Sequence, residues 1–250
     1  MNPTKTLHDV GQSLWLDNIT RDLLNSGTLQ RYIDEFSVTG LTSNPTIFDH
    51  AIKNSASYDA AIREKLREGK SGERLFFELA LEDITRAADL FRPIYDRTNG
   101  VDGRVSLEVS PLLAHDTAST LAAAKDLHTR VERPNVLIKI PGTKEGLPAI
   151  EEAIFAGVPV NVTLLFSRED YVAAGEAYLR GVERRIAAKT SACAKGAVSK
   201  LAATTPAFAG DSLAEATPPD RQPRGSRPLC RISGGGLPLS VNQSSALHDF

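Results

Sequence analysis

The chain has 250 residues, of which 41% are hydrophobic, and its formal net charge is -2. This balance is typical of a soluble globular protein with one large or two small domains, and it indicates neither a nucleic-acid-binding nor a membrane-surface protein. No apolar run approaches the ~20 residues that span a bilayer, and the N-terminus lacks the apolar core of a signal peptide, so we expect a cytoplasmic protein.

Five short apolar stretches have the length and the bounding residues of buried strands. A helical pattern follows each of them. Strands that alternate with helices in this way predict a parallel sheet wound by right-handed βα crossovers. In chain order the five stretches are SLWLD (13–17), GLTSN (40–44), RVSLEVS (104–110), NVLIKIP (135–141) and VPVNVTLL (158–165).

Two helical segments stand out between and after these strands. Residues 56–96 form a long helical stretch, in which 71–96 is predicted to be one amphipathic helix. Residues 167–188 form a second helix, for which Ser167 is the predicted N-cap and Asp170 a favourable first-turn charge. The apolar side of this second helix is predicted from spacings of three and four residues, at Tyr171, Gly175, Tyr178, Val182 and Ile186.

Polar side chains occur near the ends of these otherwise apolar strands. Because the parallel strands of a βα barrel end at a common rim, where catalytic groups sit, such side chains are candidates for one site. Each of them alone could instead be a satisfied core polar group or a turn residue. We expect six of them to converge on one mouth: Asp17, Asn44, Glu108, Lys139, Asn161 and Thr163.

Lys139 is the strongest of these candidates, because lysine is almost never fully buried unless it is paired or functional. Its apolar neighbours predict a partly desolvated amine, which favours the neutral form that attacks a carbonyl to give an imine. The alternative is a lysine that reaches solvent or pairs with Glu108. Asp17, Glu108 and Thr163 have the right chemical types to move protons in such a reaction, although their spacing alone does not bring them together.

The motifs that carry these residues resemble the signatures of the transaldolase family. They follow one another in order, with suitable spacing, across residues 1–188. One motif alone would be weak, whereas the ordered set is specific. The set comprises GQSLWLDNITRDLL (11–24), GLTSNPTIF (40–48), SLEVSPLLAHDT (106–117), VLIKIPGTKEGLPAI (136–150) and GVPVNVTLLFSREDY (157–171).

The resemblance implies a (β/α)₈ TIM barrel and the class I aldolase reaction of the pentose phosphate pathway, with sugar phosphates as substrates and without a metal or an organic cofactor. In this reaction Lys139 would form the Schiff base with the ketose carbonyl. Asp17 would take the proton from the C4 hydroxyl and so drive cleavage of the C3–C4 bond. The dihydroxyacetone unit would stay on the lysine as an enamine and then add to an aldose phosphate.

The same resemblance gives roles to four further residues. Glu108 and Thr163 would orient the water that transfers protons during imine formation and hydrolysis. Asn44 and Asn161 would hydrogen-bond the hydroxyls of the substrate and the enamine.

Residues 189–250 do not continue this resemblance. Six of the fourteen prolines lie there, and Val, Ile, Leu and Phe make up only eleven of the 62 residues. Cys193 and Cys230 also lie there, far apart and without the spacing of a zinc site or a disulfide framework. We therefore predict two regions. Residues 1–188 form a barrel portion of about five βα units, incomplete for this fold, and 189–250 form an irregular or disordered tail, or a frame-shifted end.

Other functions remain open from the sequence. A fructose-6-phosphate aldolase of the same barrel type would release dihydroxyacetone instead of transferring it. A non-catalytic remnant would keep the site residues of five strands without turnover. A nucleic-acid-binding tail is a weaker alternative, since four arginines among prolines are more typical of a solvated linker. These are Arg221, Arg224, Arg227 and Arg231. The oligomeric state, the preferred acceptor and the phosphate-binding residues are not predicted.

Overall fold

The structure, a computed structural model, describes residues 3–188. The predictions made for residues 189–250, including those for Cys193, Cys230 and the four arginines of the tail, lie outside the described residues.

Five parallel strands form one sheet whose order follows the chain, β1-β2-β3-β4-β5. The sheet is curled, since a side chain on β5 reaches one on β3 across the intervening β4. This curled half-barrel with helices on its outside confirms the prediction of an incomplete TIM barrel of about five βα units. The strands are β1 (Leu14–Asp17), β2 (Val38–Thr42), β3 (Arg104–Glu108), β4 (Val136–Pro141) and β5 (Val160–Thr163).

Helices connect the strands, and two short 3₁₀ turns, Ala56–Tyr58 and Pro111–Leu113, lie among them. Within residues 3–188, none of the helices combines the length and the apolar character that a membrane span needs. The helices are α1 (Pro3–Asp9), α2 (Arg21–Asn25), α3 (Thr28–Phe36), α4 (Pro45–Asn54), α5 (Asp59–Arg67), α6 (Gly72–Arg97), α7 (Thr117–Val131), α8 (Gly146–Ala156) and α9 (Arg168–Ala187).

The two faces of the sheet differ in character, because successive side chains of a strand point to opposite sides. The outer face is apolar and packs against the helices in the main hydrophobic core. The inner face carries the polar residues of the strands, including Glu108 and Lys139, which are register partners on β3 and β4. The outer face consists of Leu16, Leu41, Val105, Leu107, Ile138, Ile140, Val160 and Val162.

One predicted strand ends earlier than expected. The second stretch was predicted to run over 40–44, whereas β2 covers Val38–Thr42. Asn44 leaves the strand because its side chain caps α4, where Oδ1 accepts a hydrogen bond from the Ile47 amide at 2.9 Å. Pro45 then occupies the first helical position, where its missing N–H leaves no intrahelical bond unmade.

The long helical stretch 56–96 is divided in the structure. A 3₁₀ turn and α5 precede α6, and Gly69, at a φ of 76°, lies in the break between the two helices. The predicted helix over 71–96 is confirmed as α6. Pro93 lies inside α6 without ending it.

The predicted cap of α9 is confirmed, since the Ser167 hydroxyl accepts a hydrogen bond from the Asp170 amide at 3.0 Å. The predicted apolar face is wrong at Ile186, which is 53% exposed. The face that packs on α8 is rotated toward smaller residues, among them Gly181, where a Cβ would come within 2.7 Å of the Glu151 carbonyl oxygen. Close helix approach through small side chains therefore decides which side of α9 is buried.

Candidate active site

Lys139 lies on the inner face of β4 and is 5% exposed. Its Nζ is 3.1 Å from Oε2 of Glu108, and it also donates a long hydrogen bond of 3.5 Å to the Ser43 carbonyl oxygen. The lysine therefore does not reach solvent; it is buried and paired. The contact with Glu108 is the pairing that the sequence analysis gave as the alternative. It also sets a carboxylate beside the ammonium group, within reach of its proton.

Burial raises the pKa of Glu108 above its ordinary value, Lys139 opposes the shift, and the charge of Asp17 adds to it. A carboxylate with a raised pKa is a better proton acceptor for the neighbouring ammonium group. A base 3.1 Å from Nζ is the group that an imine-forming lysine needs to take up its ammonium proton. The neutral amine is the form that attacks a carbonyl carbon.

Asp17 is the last residue of β1, and its side chain is exposed. β1 pairs with β2 alone among the described strands, so Asp17 stands at an edge of the curled sheet. Among residues 3–188 its carboxylate makes neither a hydrogen bond nor an ion pair, although its charge acts on Glu108. The structure therefore places Asp17 at the same mouth as the buried pair, without fixing its carboxylate by a bond.

The two predicted asparagines lie on either side of the lysine. Asn161 is the register partner of Lys139 on β5, and its Nδ2 donates a 3.3 Å hydrogen bond to the Ser106 hydroxyl. Asn44 is buried and follows Ser43, whose carbonyl oxygen contacts Lys139. Because Oδ1 of Asn44 is used as a helix cap, its Nδ2 is the atom suited to donate to a ligand.

Thr163 lies two residues after Asn161, so it shares the inner face, and it is half-buried at the end of β5. Its carbonyl oxygen accepts a hydrogen bond of 2.7 Å from the Gly142 amide, which holds β5 to the end of β4. Among residues 3–188 no hydrogen bond joins its hydroxyl to the Lys139 cluster. Thr163 thus lies at the same rim, and no other site residue among 3–188 orients its hydroxyl.

Three hydroxyl residues near the site, two on strands and one just after β2, were not predicted from the sequence. Ser106 is fully buried, and its hydroxyl shares a 2.9 Å hydrogen bond with that of Thr42. The Ser43 hydroxyl donates to the Ser106 carbonyl oxygen at 2.8 Å. Ser106 lies two residues before Glu108, so strand periodicity could have placed it one layer below the site. The Ser106 hydroxyl accepts a hydrogen bond from Asn161 and so orients this side chain beside the lysine.

The described residues hold no group of three or more His, Cys, Asp or Glu side chains that could bind a metal ion. The side chains described at the rim carry an amine, carboxylates, amides and hydroxyls. A buried lysine beside a carboxylate of raised pKa, with amide donors around it, suits covalent catalysis on a carbonyl compound.

Comparison with known proteins finds relatives that match most of the described part of the chain. A transaldolase of Saccharopolyspora erythraea is 51% identical over 180 residues, which cover 72% of this chain and 49% of that protein. A protein named transaldolase 2 from a Nostoc species is 44% identical over 187 residues, or 75% of this chain and 49% of that protein. The chain thus spans about half the length of the curated relatives it matches. The family model described as transaldolase/fructose-6-phosphate aldolase matches residues 14–204, and the chain belongs to this family.

Proposed function

We propose that the protein is a transaldolase, which transfers a dihydroxyacetone unit from sedoheptulose 7-phosphate to glyceraldehyde 3-phosphate through a Schiff base on Lys139. The observation that supports this most directly is the buried Lys139 amine at 3.1 Å from Glu108, on the inner face of a sheet of this family. The relatives quoted above are named transaldolases, which favours transfer over simple cleavage.

The first step is attack of the Lys139 amine on the ketose carbonyl carbon. The ammonium proton passes to Glu108, whose Oε2 lies 3.1 Å from Nζ, and the carbinolamine then loses water to give the protonated imine. Glu108 and Thr163 orient that water, both for its loss and for its return during hydrolysis. The raised pKa of Glu108 suits this part, because it makes the carboxylate a stronger base toward the ammonium proton.

The second step is cleavage of the C3–C4 bond. Asp17 takes the proton of the C4 hydroxyl, the bond electrons move into the imine, and the aldose phosphate leaves. The remaining three-carbon unit is an enamine on Lys139. Asn44 and Asn161 hydrogen-bond its hydroxyls, and the acceptor aldehyde then adds to it by the reverse sequence. The protonated imine serves as the electron sink in this scheme.

Borohydride trapping tests the covalent step. The protein is incubated with fructose 6-phosphate and sodium borohydride, and the lysines are mapped by mass spectrometry of peptides. We expect a reduced three-carbon adduct on Lys139, and none in Lys139→Arg, whose guanidinium stays protonated. A label on another lysine, with Lys139 unmodified, overturns the assignment.

A second candidate activity is fructose-6-phosphate aldolase, because the matching family model is described by both names. The two activities differ in their dependence on an acceptor. A transaldolase releases the aldose product and regenerates the free lysine when glyceraldehyde 3-phosphate is present, whereas an aldolase yields free dihydroxyacetone without it. A chain that unfolds cooperatively but neither traps nor turns over a ketose is instead a non-catalytic remnant.

The remaining parts of the proposal concern the setting of the reaction. We infer that residues 1–188 act as the barrel portion, that sugar phosphates are the ligands, and that the protein works in the cytoplasm. Fractionation of cells followed by detection of the protein tests the location. Calorimetric titration with fructose 6-phosphate tests sugar-phosphate binding independently of turnover.

A further inference from the structure

A buried polar network lies behind the site, between α2, α6 and the 3₁₀ turn Ala56–Tyr58. Asp83 on α6 is fully buried, and its two carboxylate oxygens accept hydrogen bonds from different residues. Oδ1 accepts from Nε of Arg21 at 2.9 Å, and Oδ2 accepts from the hydroxyl of Tyr58 at 2.8 Å. Asp83 therefore joins two segments that are distant in the sequence.

Arg21 and Tyr58 also contact each other directly. The Tyr58 hydroxyl accepts a 2.9 Å hydrogen bond from the Arg21 amide, and the Arg21 guanidinium lies 4.6 Å from the centre of the Tyr58 ring. A further hydrogen bond of 2.8 Å runs from Nη2 of Arg21 to Oε2 of Glu82. Arg21, Tyr58 and Asp83 thus form a closed triangle of hydrogen bonds, which fixes both the backbone and the side chain of Arg21.

Arg21 is the first residue of α2 and lies four residues after Asp17. The intervening loop contains Ile19, which is fully buried in the core. Asp17 itself is at the end of an edge strand, and among residues 3–188 no bond holds its carboxylate. The ladder with β2, in which Asp17 is the register partner of Thr42, holds the backbone of Asp17 on one side. The segment that follows it, fixed by Ile19 and by the triangle around Arg21, holds it on the other.

We propose that Arg21, Tyr58 and Asp83 are positioning residues that hold the β1–α2 loop so that the carboxylate of Asp17 faces Glu108 and Lys139. They act through the backbone from behind the site and do not touch the substrate. This role deepens the proposed function, since it rests on Asp17 being the base that takes the C4 hydroxyl proton.

The substitution Tyr58→Phe tests this role with little loss of volume. It keeps the ring under the Arg21 guanidinium and removes the hydroxyl that accepts from the Arg21 amide and donates to Asp83. Arg21→Lys is a second variant, which keeps the charge but loses the forked contact with Asp83 and Glu82. The matched control is Tyr95→Phe. Tyr95 also lies on α6, with the Arg104 guanidinium 5.1 Å from its ring centre, but it is close to the opposite end of the sheet.

The first readout is independent of turnover. Because the charge of Asp17 raises the Glu108 pKa, that pKa reports how close Asp17 lies. It is measured by carbon-13 NMR titration of the Glu108 carboxyl, with Asp17→Asn as the calibration for complete loss of the charge. We expect the Glu108 pKa to fall in Tyr58→Phe and Arg21→Lys, part of the way toward its value in Asp17→Asn, and to stay unchanged in Tyr95→Phe.

The second readout is kinetic. A displacement of the base by about 1 Å lowers kcat by up to ~100-fold. We therefore expect kcat to fall in both network variants while KM and borohydride trapping on Lys139 stay close to those of the unsubstituted chain. An unchanged Glu108 pKa in the two folded network variants overturns the positioning role. If the unsubstituted chain traps no ketose, the proposed function fails, whereas the NMR titration still decides the positioning role.

Discussion

Glu108 and Lys139 are register partners on neighbouring parallel strands, and Oε2 of the first lies 3.1 Å from Nζ of the second. Side-chain exposures of 11% and 6% place the pair away from bulk water, so each charge depends on the other. This single relationship accounts for a lysine that is buried on the inner face of the sheet.

Removing one member of the pair should lower the free energy of unfolding more than removing both. We expect Glu108→Gln to lower the free energy of unfolding by about 3 kcal/mol, because it leaves a buried ammonium group without a carboxylate. The double variant Glu108→Gln with Lys139→Met should lose less than the single variant. Urea denaturation of the three proteins measures the difference, and equal losses in the single and double variants contradict the prediction.

The pair should also give stability a particular pH dependence. Burial raises the pKa of Glu108 above its ordinary value of 4.5. Between pH 4.5 and the raised value, the folded state therefore keeps a proton that the unfolded state has released. The contribution of Glu108 is most favourable below 4.5 and declines as pH rises through the raised folded value. We expect the unsubstituted chain to lose stability over this window relative to the double variant, as measured by urea midpoints. A constant difference across the window refutes the shift.

Asp17→Asn should separate the two chemical steps. The amide cannot accept the C4 hydroxyl proton, whereas the Lys139 amine is untouched. We expect kcat to fall by ~100- to 10,000-fold, the usual contribution of a general base, while borohydride still traps the ketose on Lys139. Single-turnover kinetics measure the cleavage step. Full turnover in this variant removes Asp17 as the base.

Asn44 should have two separable functions. Asn44→Ala removes the cap of α4 and should lower the free energy of unfolding by about 1 kcal/mol. Asn44→Asp keeps an oxygen that accepts from the Ile47 amide, so it should unfold like the unsubstituted chain, yet it lacks the Nδ2 donor for a substrate hydroxyl. Thermal unfolding together with KM measurements distinguishes the two functions. A KM that rises in Asn44→Ala but not in Asn44→Asp contradicts the assignment of Nδ2 as the donor to a substrate hydroxyl.

Gly40 should tolerate no larger side chain. A Cβ at this position would come within 2.5 Å of the Trp15 ring, which lies across the inner face of β2. We expect Gly40→Ala to lower the free energy of unfolding by about 1–3 kcal/mol through overpacking. In a Trp15→Leu background, Gly40→Ala should lower the free energy of unfolding much less. Equal losses in the two backgrounds would show that the ring is not the obstacle.

The fold and the two residues of the central pair could be predicted from the sequence because they stand out in local patterns, whereas their contact was one of two alternatives that the sequence left open. Strand periodicity and alternation with helices give the parallel order, and the polar interruptions at Glu108 and Lys139 stand out from apolar neighbours. Ser106 was missed because a serine inside an apolar strand resembles an ordinary buried hydroxyl, and its hydrogen bond to Thr42 depends on strand register. Register is set by pairing across the sheet, which a single strand does not reveal.

The Asn44 cap and the network around Asp83 were unpredictable for related reasons. Asn44 was assigned to a strand end, but the turn before Pro45 decides that its oxygen caps a helix. Asp83 lies in the middle of a long helix, where an acidic residue is normally solvated. Only the packing of Tyr58 and Arg21 against it, from segments 25 and 62 residues away, places it in the interior.

The sequential order of the five strands has a consequence for how the molecule is made. Each new strand pairs with the one synthesised just before it, so every ladder of the sheet joins neighbouring units of the chain. The paired residues are separated by one βα unit each, from 22 residues between Ile138 and Val160 to 64 between Gly40 and Arg104. During synthesis each strand therefore follows the strand that it pairs with, and β4, which carries Lys139, is made after β3, which carries Glu108.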